Sequence, residues 1–179
     1  MRATSQTLRT VLLVGLLSAI STAVAEPVKY SPADEAFGVT FPDRPQCETQ
    51  RLELSTGPIV MSSCSYVNAS AQLYYVATSY EGWRVSEHLS ATDALKSAMN
   101  FAASSTSSTV LASHNLEVSG FPALEGAIRH PNGLVSISQY VLANGRLFSI
   151  NFAGWPGRVP NEALNSFMNS FRLYPRKDR

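Results

Sequence analysis

Histidine, cysteine and net charge are all scarce in this sequence, and each shortage closes off a class of function. There are 3 histidines and 2 cysteines in 179 residues. His114 and His130 stand alone near strand ends, and none of the three histidines keeps the close spacing to other ligands that a metal site shows. His88 has Glu87 beside it, but adjacent residues on a helix point apart. No metal and no cofactor is therefore expected. The chain has no C-x-x-C, no G-x-G-x-x-G, no phosphate loop and no G-x-S-x-G. The signatures of dithiol redox, dinucleotide binding, phosphate binding and serine hydrolysis are thus missing. Charged residues make up only 15% of the chain, and 14 bases nearly balance 13 acids. That balance gives no electrostatic case for nucleic acid or an anionic membrane as partner. Adjacent carboxylates such as Asp34-Glu35 fall in turns, where solvated acids are common, and the basic Arg176-Lys177-Asp178-Arg179 is a short solvated end.

Long apolar runs are also rare, and the one that exists is at the start. Arg2 and Arg9 precede the stretch Val11 to Ile20, and Ala23-Val24-Ala25 follows with small-x-small spacing. This is the layout of a secretory signal peptide over residues 1–25, cleaved after Ala25. The run is too short for a spanning helix, so no stable membrane insertion is expected after cleavage. Removing it takes away two arginines and no acid, which turns the formal net charge of +1 into −1. Residues 26–179 are enough for a single domain with a real core. The expected location is the periplasm or the extracellular space.

Export makes a disulfide possible. The segments from Cys47 to Leu54 and from Ile59 to Cys64 read as strands around Ser55-Thr56-Gly57-Pro58. A hairpin centred there brings Cys47 and Cys64 opposite each other, within a residue, so the two are expected to be bonded.

The clearest stretch runs from Leu134 to Phe171. Asn144-Gly145 lies between two alternating runs and suits a type I′ turn, which needs positive φ at both central residues. A two-residue loop fixes the register. Val141 is then opposite Phe148, Gln139 opposite Ile150 and Ile137 opposite Phe152, on one nearly apolar face. Tyr140 with Ser149, Ser138 with Asn151 and Leu142 with Leu147 form a mixed face. After Gly154-Trp155-Pro156-Gly157, a helix is expected over 161–171, with Asn161 as N-cap and Glu162 in its first turn. Leu164, Phe167, Met168 and Phe171 make its core-facing stripe.

The rest of the chain reads as short strands and one more helix. Val28 to Tyr30 and Phe37 to Phe41 form an opening hairpin that Pro42 stops. Asn68-Ala69-Ser70, which also matches a glycosylation sequon, reads as a turn into the strand Gln72 to Tyr80. Ser90-Ala91-Thr92-Asp93 has the form of a helix cap, and a helix is expected at about 88–104 with Leu95, Ala98, Met99 and Ala102 inward. Strands at about 110–118 and 123–129 follow. Short hairpin connections favour an α+β fold, a mainly antiparallel sheet with helices packed on it.

Four motifs carry a family resemblance: Phe37-Gly38-Val39-Thr40-Phe41-Pro42, Gly120-Phe121-Pro122-Ala123-Leu124-Glu125, the run from Tyr140 to Phe148, and Ser170-Phe171-Arg172-Leu173. Together they resemble small exported bacterial proteins of the PsbP-like fold, shared by a lumenal subunit of photosystem II and the Ran-release factor family. The resemblance spans most of residues 36–173. It implies an α/β/α sandwich and a non-enzymatic binding or accessory role. Its motifs are structural, and it transfers no functional residue.

Aromatic side chains are the remaining lead. Trp83 and Trp155 lie in glycine-containing loops, and Tyr140 and Asn151 lie on the mixed hairpin face. A partly uncovered mixed face would offer aromatic walls with polar points, the composition of a small-ligand site. Trp155, Trp83, Tyr140 and Asn151 are thus the candidate ligand-binding residues. The leading reading is a periplasmic binding or accessory protein acting through a surface or shallow groove, toward an envelope protein or a small apolar ligand. The alternatives are a hydrolase-like enzyme whose site is assembled from scattered residues, and a purely structural envelope protein. An apolar cleft beside Trp155 or Trp83 would favour the first. A buried pair of perturbed titratable groups would favour the second, and a flat exposed apolar patch the third.

Overall fold

The structure, a computed structural model, describes residues 26–32, 36–54, 57–83 and 88–174. The signal segment, Asp34-Glu35, the tip of the cysteine hairpin and the basic C-terminal residues lie outside these. The opening hairpin is β1 (Val28–Tyr30) with β2 (Phe37–Phe41). Then come β3 (Gln46–Leu54), β4 (Gly57–Asn68) and β5 (Leu73–Glu81), each antiparallel to the one before. Helix α1 (Ala91–Ser105) follows, then β6 (Thr109–Val118), β7 (Phe121–Arg129), β8 (Val135–Ala143) and β9 (Arg146–Gly154). Helix α2 (Asn161–Met168) and the short β10 (Arg172–Leu173) end the described chain.

The large sheet has the order β3-β4-β5-β9-β8-β7-β6, with every pairing antiparallel. After β5 the chain crosses by α1 to the far edge and walks back, so that β9 lands beside β5. The expected C-terminal register holds: Val141 faces Phe148, Gln139 faces Ile150 and Ile137 faces Phe152. Asn144 and Gly145 take φ of 53° and 71°, as the tight turn requires. Cys47 faces Cys64 directly and the two are bonded. Gly57 and Pro58 belong to β4 and not to the turn, because the strands continue to Leu54 and Gly57.

One face of the sheet carries α2 and a small sheet of order β1-β2-β10. Phe148, Ile150, Phe152, Tyr75, Ala77 and Cys64 there pack against Phe37, Val39, Phe41, Phe167 and Phe171 in one buried cluster. Ser170 fastens these layers: its Oγ accepts from the Thr40 N–H at 2.9 Å and donates to the Phe167 carbonyl at 2.7 Å. The other face carries α1, whose Leu95, Ala98, Met99 and Ala103 cover Leu124, Ile128, Tyr140 and Leu147. Gly126 in β7 lets this helix approach, since a Cβ there would lie 2.8 Å from both the Ala112 carbonyl and the Met99 sulfur.

Two helix boundaries differ from the expected ones. Helix α1 begins at Ala91, with His88 in a turn and Ser90 as N-cap. The Asp93 N–H donates to Ser90 Oγ at 3.1 Å, and that hydroxyl donates to the Asp93 carboxylate at 2.7 Å. Helix α2 stops at Met168, and its N-cap is Pro160, with Asn161 already helical. The Ser170 hydroxyl occupies the Phe167 carbonyl, and the chain turns there into β10, which pairs with β2. The Asn68 turn is as expected: Asn68 Oδ1 accepts from the Ala71 N–H at 3.1 Å.

Candidate functional site

The four candidate residues do not form one site. Trp83 follows β5 and Trp155 follows β9. Because Tyr80 faces Leu147 and Tyr74 faces Ala153, the two strands run in opposite directions and carry the tryptophans to opposite ends of the sheet. The strand rise separates those ends by roughly 25 Å. Trp83 sits edge-on to Tyr80, with ring centres 6.2 Å apart, and packs into the α1 cluster. Trp155 is half-buried over Gly133, where its ring edge would lie 3.1 Å from an added Cβ.

Tyr140 and Asn151 are on the sheet face that carries α1. The helix covers Tyr140, which is 5% exposed, and Ser138, which is 1% exposed. The mixed hairpin face is therefore closed at that point. What remains around it is a row of small polar side chains. Ser63 and Thr78 hydroxyls are 3.0 Å apart, and Asn151 Nδ2 donates to Ser149 Oγ at 3.4 Å. The Tyr80 phenol bonds to Ser149 and Thr78. Burial holds the Tyr140 phenol well above the ordinary tyrosine range, with nearby Tyr80 adding to the effect. Burial also raises Tyr75, and it raises Tyr80 against the opposing hydrogen bonds.

These phenols bear on alkaline stability. Above the ordinary tyrosine value of 10.0 the unfolded chain loses phenolic protons that the folded chain keeps. Stability is therefore complete below about pH 10 and is lost as pH rises beyond it. Tyr140→Phe keeps the ring and removes one such proton. Its unfolding midpoint should fall less steeply than wild type between neutral and strongly alkaline pH. An unchanged pH slope would contradict the assignment.

His130 lies in a second polar chain. Its Nδ1 is 2.9 Å from Ser108 Oγ and its Nε2 is 3.0 Å from Ser136 Oγ. Ser108 Oγ is also 2.8 Å from Thr106 Oγ1. The imidazole thus joins the turn after α1 to β8, through hydroxyls already engaged elsewhere. No spacing rule would have found it, because Ser108, His130 and Ser136 meet only once α1 has packed on the sheet. His114 Nε2 lies 3.8 Å from Glu125 at the exposed surface. Among the described residues no group of three His, Cys, Asp or Glu side chains is placed to hold a metal ion. No helix among them is long and apolar enough to cross a membrane.

Among the described residues, clefts open on the α2 side, two of which stand out. One, of about 510 Å³, runs between β2 and the start of α2 and is lined mainly by apolar groups. Phe41, Tyr75 and Phe167 form its aromatic floor, with Phe167 centred 5.4 Å from Phe41 and 5.2 Å from Tyr75. Pro27, Pro42, Pro160 and Ala163 form its walls, and Thr40, Glu162 and Ser166 its polar rim. Sequence reasoning placed Phe41 at the end of a hairpin strand and Phe167 in a core-facing stripe and missed the gap, which arises only where β2 meets α2. The other cleft, of about 370 Å³, has a mixed lining and lies beside the disulfide, among residues that include Tyr30, Glu48, Glu81 and Arg146. There an Arg146 guanidinium nitrogen is 3.1 Å from the Glu81 carboxylate.

No protein-family model matches the chain. No curated protein matches it either. Solved structures do. A Pseudomonas aeruginosa protein of unknown function, PA94, is 10% identical over 85% of this chain and 99% of its own, with a TM-score of 0.42. The cyanobacterial PsbP, CyanoP, from Synechocystis sp. PCC 6803 is 10% identical, covers 89% of this chain and 99% of its own, and has a TM-score of 0.50. With its antiparallel sheet and two packed helices, the chain has the PsbP-like α+β fold.

Proposed function

We propose that the protein is a periplasmic binding or accessory module without catalytic activity, and that its contact surface is the apolar groove between β2 and α2. The groove of about 510 Å³ is the observation that carries this reading. Its aromatic floor and proline walls suit a small apolar ligand or the apolar side chain of an envelope protein, and its few rim hydroxyls suit orientation of a bound group. The walls are stiff, since prolines restrict the backbone, and Ser170 ties β2 to α2. A preformed site of this kind loses little entropy on binding. None of the four sequence candidates, Trp155, Trp83, Tyr140 and Asn151, lines the groove. The disulfide and the signal-like N terminus support an exported location.

Native mass spectrometry of the protein purified gently from the periplasm tests this, with the denatured sample as reference. The expected result is a native mass larger than the denatured one by a small molecule. Ser166→Trp should abolish the excess while leaving the thermal midpoint unchanged, because Ser166 is exposed at the rim and a large side chain there fills the groove. A native mass without any excess, or an excess that Ser166→Trp leaves intact, would sink the proposal of a ligand groove.

A further inference from the structure

The two edges of the large sheet are treated differently. At one edge, the β6–β7 register shifts between Val110 and Ala112. An irregularity of this kind blunts an edge against pairing. At the other, β3 keeps unbroken register with β4 over nine residues and contains no proline. Among the described residues no strand pairs with its outer side.

The direction of its backbone groups follows from one distance. Facing residues of antiparallel strands alternate between hydrogen-bonded pairs about 5.5 Å apart and non-bonded pairs about 4.5 Å apart. Cys47 and Cys64 have Cα atoms 4.1 Å apart, which marks a non-bonded pair. The N–H and C=O of Cys47 therefore point away from β4. By alternation, so do those of Thr49, Arg51 and Glu53. Such a row is a template for strand addition.

The side chains select the strand to be added. A two-fold axis normal to a sheet joins a strand antiparallel to its own copy, with one residue facing itself. Centred on Arg51, that arrangement sets two guanidinium groups against each other. Centred on Leu52, it sets Arg51 against the partner's Glu53 twice on one face, and Leu52 against the partner's Leu52 on the other. Opposite charges directly across a strand pair stabilise it, and like charges destabilise it. Arg51 and Glu53 are also outward-bonding residues, so they would exchange backbone hydrogen bonds in this register. Both side chains are exposed, 68% and 70%, and lie 3.0 Å apart along the strand.

We propose that β3 is a self-recognition edge, by which two copies join antiparallel about an axis at Leu52 into one continuous sheet. The edge is separate from the groove between β2 and α2, so either can fail without the other.

Sedimentation velocity of residues 26–179, followed from low to high micromolar concentration, tests it. The wild type should show a reversible monomer–dimer equilibrium. Glu53→Arg, which sets like charges across the axis, should weaken association by about tenfold or more. The exchange Arg51→Glu with Glu53→Arg should restore it, because the opposite charges then face each other again. Ser166→Trp should leave it unchanged. A wild type that stays monomeric throughout, a dimer that Glu53→Arg leaves equally tight, or an exchange that recovers nothing would each overturn the proposal.

Discussion

Phe167→Ala should destabilise the protein more than any surface change, by about 4 kcal/mol. Phe167 is 2% exposed and meets Phe41, Tyr75 and Phe152 with ring centres at 5.4, 5.2 and 6.4 Å. It is the side chain through which α2 grips both sheets. Truncation removes the transfer free energy of a buried ring and leaves a void that the three other rings cannot fill. They are held by strands β2, β5 and β9, so the site cannot collapse. For a domain of this size the loss corresponds to a fall of about 10 °C in the thermal midpoint. Differential scanning calorimetry would measure it. A fall of only about 1 kcal/mol would mean that α2 repacks and that the groove floor is not rigid.

Removing the disulfide should come next, at about 3 kcal/mol in the chain-entropy view for a 17-residue separation. Cys47→Ala with Cys64→Ala tests this, because Cys64 is buried in the core cluster and alanine leaves no unpaired polar atom there. Urea unfolding should give a lower midpoint for the variant. Reductant should lower the wild-type midpoint to match and should leave the variant alone. The same variant bears on self-association. The bond fixes β3 at one end of its ladder with β4, so its loss lets the edge strand fray and weakens any pairing with a second copy. A variant that is as stable as the oxidised wild type would show that the β3–β4 ladder holds without the bond.

Local chemistry made much of this fold legible in advance. Asn144-Gly145 has a single comfortable turn, so the facing pairs of β8 and β9 followed, and with them the two faces of the sheet. The Cys47–Cys64 pairing followed from a hairpin of nearly fixed centre. Ser90 and Asp93 announced α1, and Phe167 and Met168 of the expected stripe announced the buried face of α2, whereas Phe171 of that stripe is buried from beyond the helix end. What was not legible was anything made by distant segments meeting. The neighbour of β5 is β9, and no property of Leu73 to Glu81 alone selects it. The groove between β2 and α2 is a misfit between two elements whose own patterns look like ordinary core. His130 looked like a lone histidine near a strand end because its two serine partners come from different elements. The tryptophans misled for a related reason: similar loops gave no hint that they lie at opposite ends of the sheet.

The placement of β9 beside β5 also sets the order in which this molecule can assemble. Strands β3 to β5 form one antiparallel run and β6 to β9 another, and each can zip from its own short turns. The seam between them joins Tyr80 to Leu147 and Tyr74 to Ala153, so it closes only after α1 and three further strands have been made. Contacts that distant in sequence form slowly. Until they form, β5, with Tyr74, Tyr75, Val76 and Tyr80, presents a bare apolar strand edge, the feature that invites aggregation. A chain interrupted before Arg146 keeps that edge permanently. Synthesis of β9 is thus the event that turns two sticky fragments into one continuous sheet.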